Sequence, residues 1–137
     1  MKRRAFFLSA IILFLAIFTG VGIIIATDIP DEINIKAEAF GTYKKGPVKL
    51  NHKKHSADYK IACTECHHRY EGGKNIFKEG DPVQKCSGCH DAKKSEGNVK
   101  KLMLAYHNNC QGCHKDMKKE GKNTGPTNKC AECHEEK

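Results

Sequence analysis

Eight cysteines in 137 residues fall into four Cys-x-x-Cys pairs, and a histidine directly follows every pair. The groups are Cys63, Cys66 and His67; Cys86, Cys89 and His90; Cys110, Cys113 and His114; and Cys130, Cys133 and His134. A disulfide framework or two four-ligand zinc sites also use paired cysteines. Neither requires a histidine behind each pair. Cys-x-x-Cys-His is a c-type haem attachment sequence: the thiols form thioether links to the haem vinyl groups, and the adjacent histidine reaches the iron as its proximal ligand. Four such groups predict four covalently attached c-type haems.

The rest of the chain is poorly equipped to fold without them. From Asp28 to Lys137, Leu, Ile, Val and Phe occupy only thirteen of 110 positions. A charged chain with less than about 20% of these residues cannot bury enough apolar surface to offset its conformational entropy. The expected fold is therefore small, mostly irregular and loop-rich, with a few short helices, little strand and a core formed by the four haems.

Eight histidines are present, and the motifs use four. The others are His52, His55, His68 and His107, equal in number to the irons. If each is a distal ligand, every iron carries two imidazoles and none keeps an open position for substrate. His68 follows His67 directly, so its side chain cannot turn back to the same iron and must serve a neighbouring haem. His52 and His55 lie three apart and can project from one turn toward two different groups. Asn51–His68 thus holds ligands for three irons. In a domain of about 110 residues, with a radius of gyration of roughly 13 Å, four macrocycles lie close enough for electrons to pass among them.

Met1–Arg4 is basic and Ala5–Thr27 is uncharged and mostly apolar, which divides off residues 1–27 as a signal-anchor or signal peptide. The apolar run is long enough for a transmembrane helix, which needs about 20 residues. It lacks a clear small-x-small cleavage site at its end, which favours an anchor in the cytoplasmic membrane over a cleaved secretory signal. Basic residues stay cytoplasmic, so the remainder is exported to the bacterial periplasm in either case. Residues 28–47 form a linker or an N-terminal strand, since Ile33, Ile35, Ala37 and Ala39 alternate. Residues 48–137 form the haem domain. Within it, Asn98–His107 is the one helix candidate, with Asn98 as cap and Val99, Leu102, Met103 and Tyr106 at helical spacing. Glu71–Asn75 and Lys119–Pro126 read as loops.

Without Lys2, Arg3 and Arg4 the chain has 21 Lys and Arg against 16 Asp and Glu, and its lone arginine is Arg69. Such a lysine surface suits transient docking to an acidic protein and, without aromatic or arginine patterning, argues against nucleic acid.

Pro47-Val48-Lys49-Leu50-Asn51-His52 with His55, the doubled His67-His68 and His107 before the third motif resemble the class III cytochromes, the tetrahaem cytochrome c3 family. The likeness runs from about Val48 to the C-terminus. It implies four low-potential bis-histidine haems in a loop-rich fold, and electron shuttling between periplasmic hydrogenase or dehydrogenase and membrane redox complexes. It also implies a ligand set, with His52 distal to the haem of Cys63 and Cys66 and His68 to that of Cys86 and Cys89. His55 would serve the haem of Cys110 and Cys113, and His107 that of Cys130 and Cys133. All four cysteine gaps are two residues, whereas many family members have four at two sites. The enzyme alternative is a small multihaem reductase with one open iron, most simply at His107. A membrane-anchored quinol-oxidising tetrahaem subunit is a third reading, although there the first motif follows the anchor closely and here about 35 residues intervene.

Overall fold

A computed structural model describes residues 29–136 apart from Ala37 and Tyr43. The anchor or signal expected over residues 1–27 lies outside the described residues, and among these no helix is long and apolar enough to cross a membrane. The fold is loop-rich, with short helices and two small two-stranded sheets. Strand β1, Glu32–Ile35, pairs antiparallel with β2, Val48–Asn51, setting Ile33 opposite Leu50 and Ile35 opposite Val48. The alternation that marks β1 ends there, because Glu38–Phe40 is a 3-10 turn and Gly41 takes a φ of 69°. A second hairpin joins β3, Tyr70–Glu71, to β4, Lys74–Asn75, through Gly72 and Gly73, both at positive φ as its two-residue turn requires.

Strand β2 runs straight into a helical turn ending in the π-helical segment Lys54–Asp58. Asn51 manages the change: its Oδ1 accepts the Lys54 N–H at 2.8 Å, and its carbonyl accepts Nδ1–H of His55 at 2.8 Å. Three attachment motifs are single turns entered from an extended residue. They are helix α1, Cys63–Cys66, the 3-10 turn Cys86–Gly88, and the last helix, Cys130–Cys133. In each, the histidine N–H donates to the carbonyl of the first cysteine at 2.8–2.9 Å, which ties the proximal residue to the turn that carries the sulfurs. The other motif lies inside a longer helical run made of α2, Leu102–His107, the π-helical segment Asn108–Gly112, and α3, Cys113–Lys119. The helix at Cys130–Cys133 is α4.

The helix expected from Asn98 starts at Leu102 instead. Gly97 and Asn98 form a tight turn, with Glu96 and Val99 exchanging two backbone hydrogen bonds of 2.9 Å. Gly-Asn satisfies a two-residue turn better than a helix start. Lys101 remains extended, with its N–H on Ser95 Oγ, and Val99 is left outside the helix and exposed. At its other end the helix outlasts the expectation, reaching Lys119, with Asp116 early and Lys118 and Lys119 late in α3 as the helix dipole favours.

The C-terminal end closes the fold. The Glu135 N–H donates to Pro47 O at 3.0 Å, Val48 bridges His134, and Lys49 pairs with Glu135 at 2.8 Å. Gly46 is required there, since a Cβ would collide with the Glu135 carbonyl. That ion pair and others, such as Lys53–Asp31, sit at the surface, where solvent and salt screen them and each contributes little. Among the described residues only Phe77 and Leu102 are buried hydrophobics, and Leu102 alone is fully enclosed. Replacing it should therefore be felt strongly: Leu102→Ala is expected to cost about 3 kcal/mol, read as a lower guanidinium midpoint for the haem-loaded protein.

Candidate haem-ligating site

The eight histidines meet as four pairs of rings. His52 faces His67 with ring centres 6.4 Å apart, His68 faces His90 at 5.9 Å, His55 faces His114 at 6.3 Å, and His107 faces His134 at 6.3 Å. Each pair joins one motif histidine to one spare histidine, and every histidine is used once. Contacting rings in general have centres about 4.5–7 Å apart, and for two ligands of one metal this spacing has a definite meaning. A metal–imidazole bond of about 2.0–2.1 Å, added to about 1.15 Å from ring atom to ring centre, puts two imidazoles bound to opposite sides of one metal about 6.3 Å apart. The four observed separations bracket that value.

The tautomers suit the same role. A carbonyl can only accept, so the Nδ1 atoms that contact carbonyls are the protonated ones: His55 on Asn51, His90 on Lys100 at 2.6 Å, His114 on Pro126 and His134 on Gly46, both at 2.8 Å. Nε2 is left with its lone pair free, and the hydrogen bond behind it fixes the ring and strengthens it as a donor. At His67, burial first and then the neighbouring His52 and His68 push the imidazole pKa down, which keeps it neutral as a ligand must be. Phe77 packs against that ring at 5.4 Å.

Cysteines of different motifs lie near one another. Six of the eight are exposed. Desolvation nonetheless pushes Cys110 up to about 11, helped by Cys66, Cys133, Cys86 and Cys113, and burial with the charge of Cys86 raises Tyr106 to about 12. Cys110 is exposed to solvent but has thiols of the other motifs around it. It feels a cysteine of each of the three other motifs, so all four attachment points converge on the Leu102–Lys119 run. Asn109, next to Cys110, donates to Cys66 O at 3.2 Å. Among the described residues no three His, Cys, Asp or Glu side chains cluster as a metal site, so the zinc reading finds no tetrad. Paired imidazoles beside paired thiols fit a metal whose other ligands come from a macrocycle. Bound c-type haem would supply a one-electron iron couple at each pair.

The structure thus pairs all eight histidines singled out by the motifs and the spare-histidine count, and sets Cys66, Cys86, Cys113 and Cys133 near Cys110. It adds a supporting set that the motifs do not reveal: the acceptor carbonyls of Asn51, Lys100, Pro126 and Gly46, and Gly125, over which the His114 ring lies. A backbone carbonyl has no residue type, and nothing in the sequence marks these positions beyond the turn-forming Gly-Pro pairs at Gly46 and Pro47 and at Gly125 and Pro126.

A class III cytochrome c family model matches residues 29–134. Cytochrome c3 of Maridesulfovibrio salexigens is 39% identical over 115 residues, covering 80% of this chain and 98% of that protein. The crystal structure of the di-tetrahaem cytochrome c3 of Desulfovibrio gigas aligns with a TM-score of 0.55 and 28% identity, over 79% of this chain and 98% of the other. That of the high-molecular-weight cytochrome c of Desulfovibrio vulgaris (Miyazaki F) aligns at 0.53 and 30% identity; 78% of this chain is covered, and the match spans only 20% of that longer protein.

A Cβ at Gly125 would lie 2.6 Å from Cε1 and 3.0 Å from Nδ1 of His114. Gly125→Ala should therefore displace the ring or its loop, with an overpacking cost of about 1–3 kcal/mol. The expected readout is a shift in the NMR haem-methyl signals of the group attached at Cys110 and Cys113, with those at the other motifs unchanged.

Proposed function

The chain belongs to the class III cytochrome c family and is a cytochrome c3-like multihaem electron-transfer protein with covalently bound haem; from that premise we propose that it carries electrons through four bis-histidine haems without catalysis of its own. The observation that supports this reading is the set of four ring pairs at 5.9–6.4 Å, one per attachment motif. His52 and His67 hold the haem of Cys63 and Cys66, and His68 and His90 that of Cys86 and Cys89. His55 and His114 hold the haem of Cys110 and Cys113, and His107 and His134 that of Cys130 and Cys133.

Two imidazoles per iron close the coordination sphere, so the residues' task is to set potential and spacing rather than to bind substrate. Two nitrogen donors, hydrogen bonds that raise their basicity and a thin, wet protein shell stabilise the ferric state and keep potentials low. A reductase would need one iron without its second imidazole. His107, the simplest candidate for such a vacancy, is held opposite His134. The protein acts in the periplasm, held to the cytoplasmic membrane if residues 1–27 are retained. Its lysine-rich surface docks acidic faces of periplasmic hydrogenase or dehydrogenase and of membrane redox complexes, an association that weakens with salt.

Two measurements test this reading. Electron paramagnetic resonance of the ferric protein and carbon monoxide addition to the ferrous one should find four low-spin, unreactive irons; a high-spin or carbon monoxide-binding iron would contradict closed coordination. His68→Ala should open one iron, that of the haem at Cys86 and Cys89. Opening of the haem at Cys63 and Cys66 instead would reject the crossed assignment.

A further inference from the structure

His67 and His68 are consecutive in the chain yet face different partners, His52 and His90. The backbone around His68 is therefore shared by two haem sites, and whatever fixes it sets both. One side chain grips it on each side. Asn75 Nδ2–H donates to the His67 carbonyl at 3.2 Å, and Asn75 Oδ1 accepts the Arg69 N–H at 3.0 Å. These are the backbone groups that flank His68 before and after. The same Oδ1 accepts the Phe77 N–H at 3.1 Å, and the Phe77 ring packs 5.4 Å from the His67 ring. Asn75 reaches this place because the Gly72–Gly73 turn folds β4 back on β3, and Ile76 N–H on Arg69 O at 2.8 Å continues the pairing.

We propose that Asn75 is a positioning residue common to two haems, whose carboxamide clips the backbone on both sides of His68 and thereby fixes the axial imidazoles of the haem at Cys63 and Cys66 and the haem at Cys86 and Cys89 relative to each other. The proposal rests on the bis-histidine reading above. A carboxamide is required, because the clip needs a donor for the His67 carbonyl and an acceptor for two N–H groups from one planar group. Alanine supplies neither. Aspartate keeps the acceptor and loses the donor. The haems at Cys110 and Cys130 have no bond to Asn75 and serve as internal controls.

The test compares Asn75→Ala, Asn75→Asp and the hairpin control Lys74→Ala as holoproteins. Ferric paramagnetic resonance reports the angle between axial imidazole planes, and NMR haem-methyl shifts assign each change to a haem. Asn75→Ala is expected to shift the signals of the Cys63 and Cys86 haems together and leave the other two in place, while Lys74→Ala leaves all four. Asn75→Asp is expected to shift chiefly the Cys63 haem, whose His67 carbonyl loses its donor. If Asn75→Ala does not accept four haems, Asn75→Asp carries the test alone. Unshifted Cys63 and Cys86 signals in a variant that is merely less heat-stable would overturn the proposal, as would equal shifts at all four haems. A high-spin iron in the unmodified protein would instead remove the bis-histidine reading itself, which separates the two failures.

Discussion

Two imidazole rings held about 6.3 Å apart, centre to centre, stand at the spacing of two ligands on one metal, and four such pairs account for much of the architecture. Because each spare histidine comes from a different segment than its partner, the pairs draw together the turn after strand β2, the segment of helix α1, the Cys86 turn, the long helical run and the C-terminal turn. Side-chain packing alone does not do this: Phe77 and Leu102 are the buried hydrophobics among the described residues. Surface ion pairs do not do it either, since each is exposed and weak. The proposed haems supply apolar area and directional bonds at once, which is how a lysine-rich, aliphatic-poor chain can adopt one fold.

The ring pairs also explain where the backbone is irregular. Lys54–Asp58, which contains His55, and Asn108–Gly112, which contains Cys110, are the two π-helical segments, and both serve the same proposed haem. A π turn swings side chains away from their α-helical directions, which is why such segments gather at functional sites. Tight positions follow the same rule. Gly46 and Gly125 stand where a carbonyl or an imidazole comes too near for a Cβ, so absence of a side chain is what the site requires of them.

Much of this was legible in the sequence. The motifs named eight cysteines and four histidines, the count of spare histidines named the rest, and the shortage of Leu, Ile, Val and Phe announced a loop-rich fold. His67-His68 carried its own geometry, since neighbouring side chains cannot bind one iron from the same side. The failures have physical causes. Asn98 looks like a helix cap, but beside Gly97 it makes a better turn, and Asp91, whose carbonyl accepts the Leu102 N–H, decides where the helix starts. The extension to Lys119 was hidden because the Cys-x-x-Cys-His pattern interrupts the apolar period. The carbonyls behind His90, His114 and His134 were hidden for a different reason, being backbone groups delivered from 10, 12 and 88 residues away.

The ring pairs differ greatly in how much chain they enclose. His52 to His67 spans 15 residues, whereas His55 to His114 spans 59 and bypasses the whole second attachment motif. If each iron is treated as a crosslink, closing the longer loop restricts the unfolded chain by roughly 1.2 kcal/mol more than closing the shorter one. The near-parallel His55–His114 pair, 22° apart, is then the long staple of the domain. With its iron bound it would tie the segment after β2 to the helical run, so one bond would serve both the closure of the fold and electron transfer.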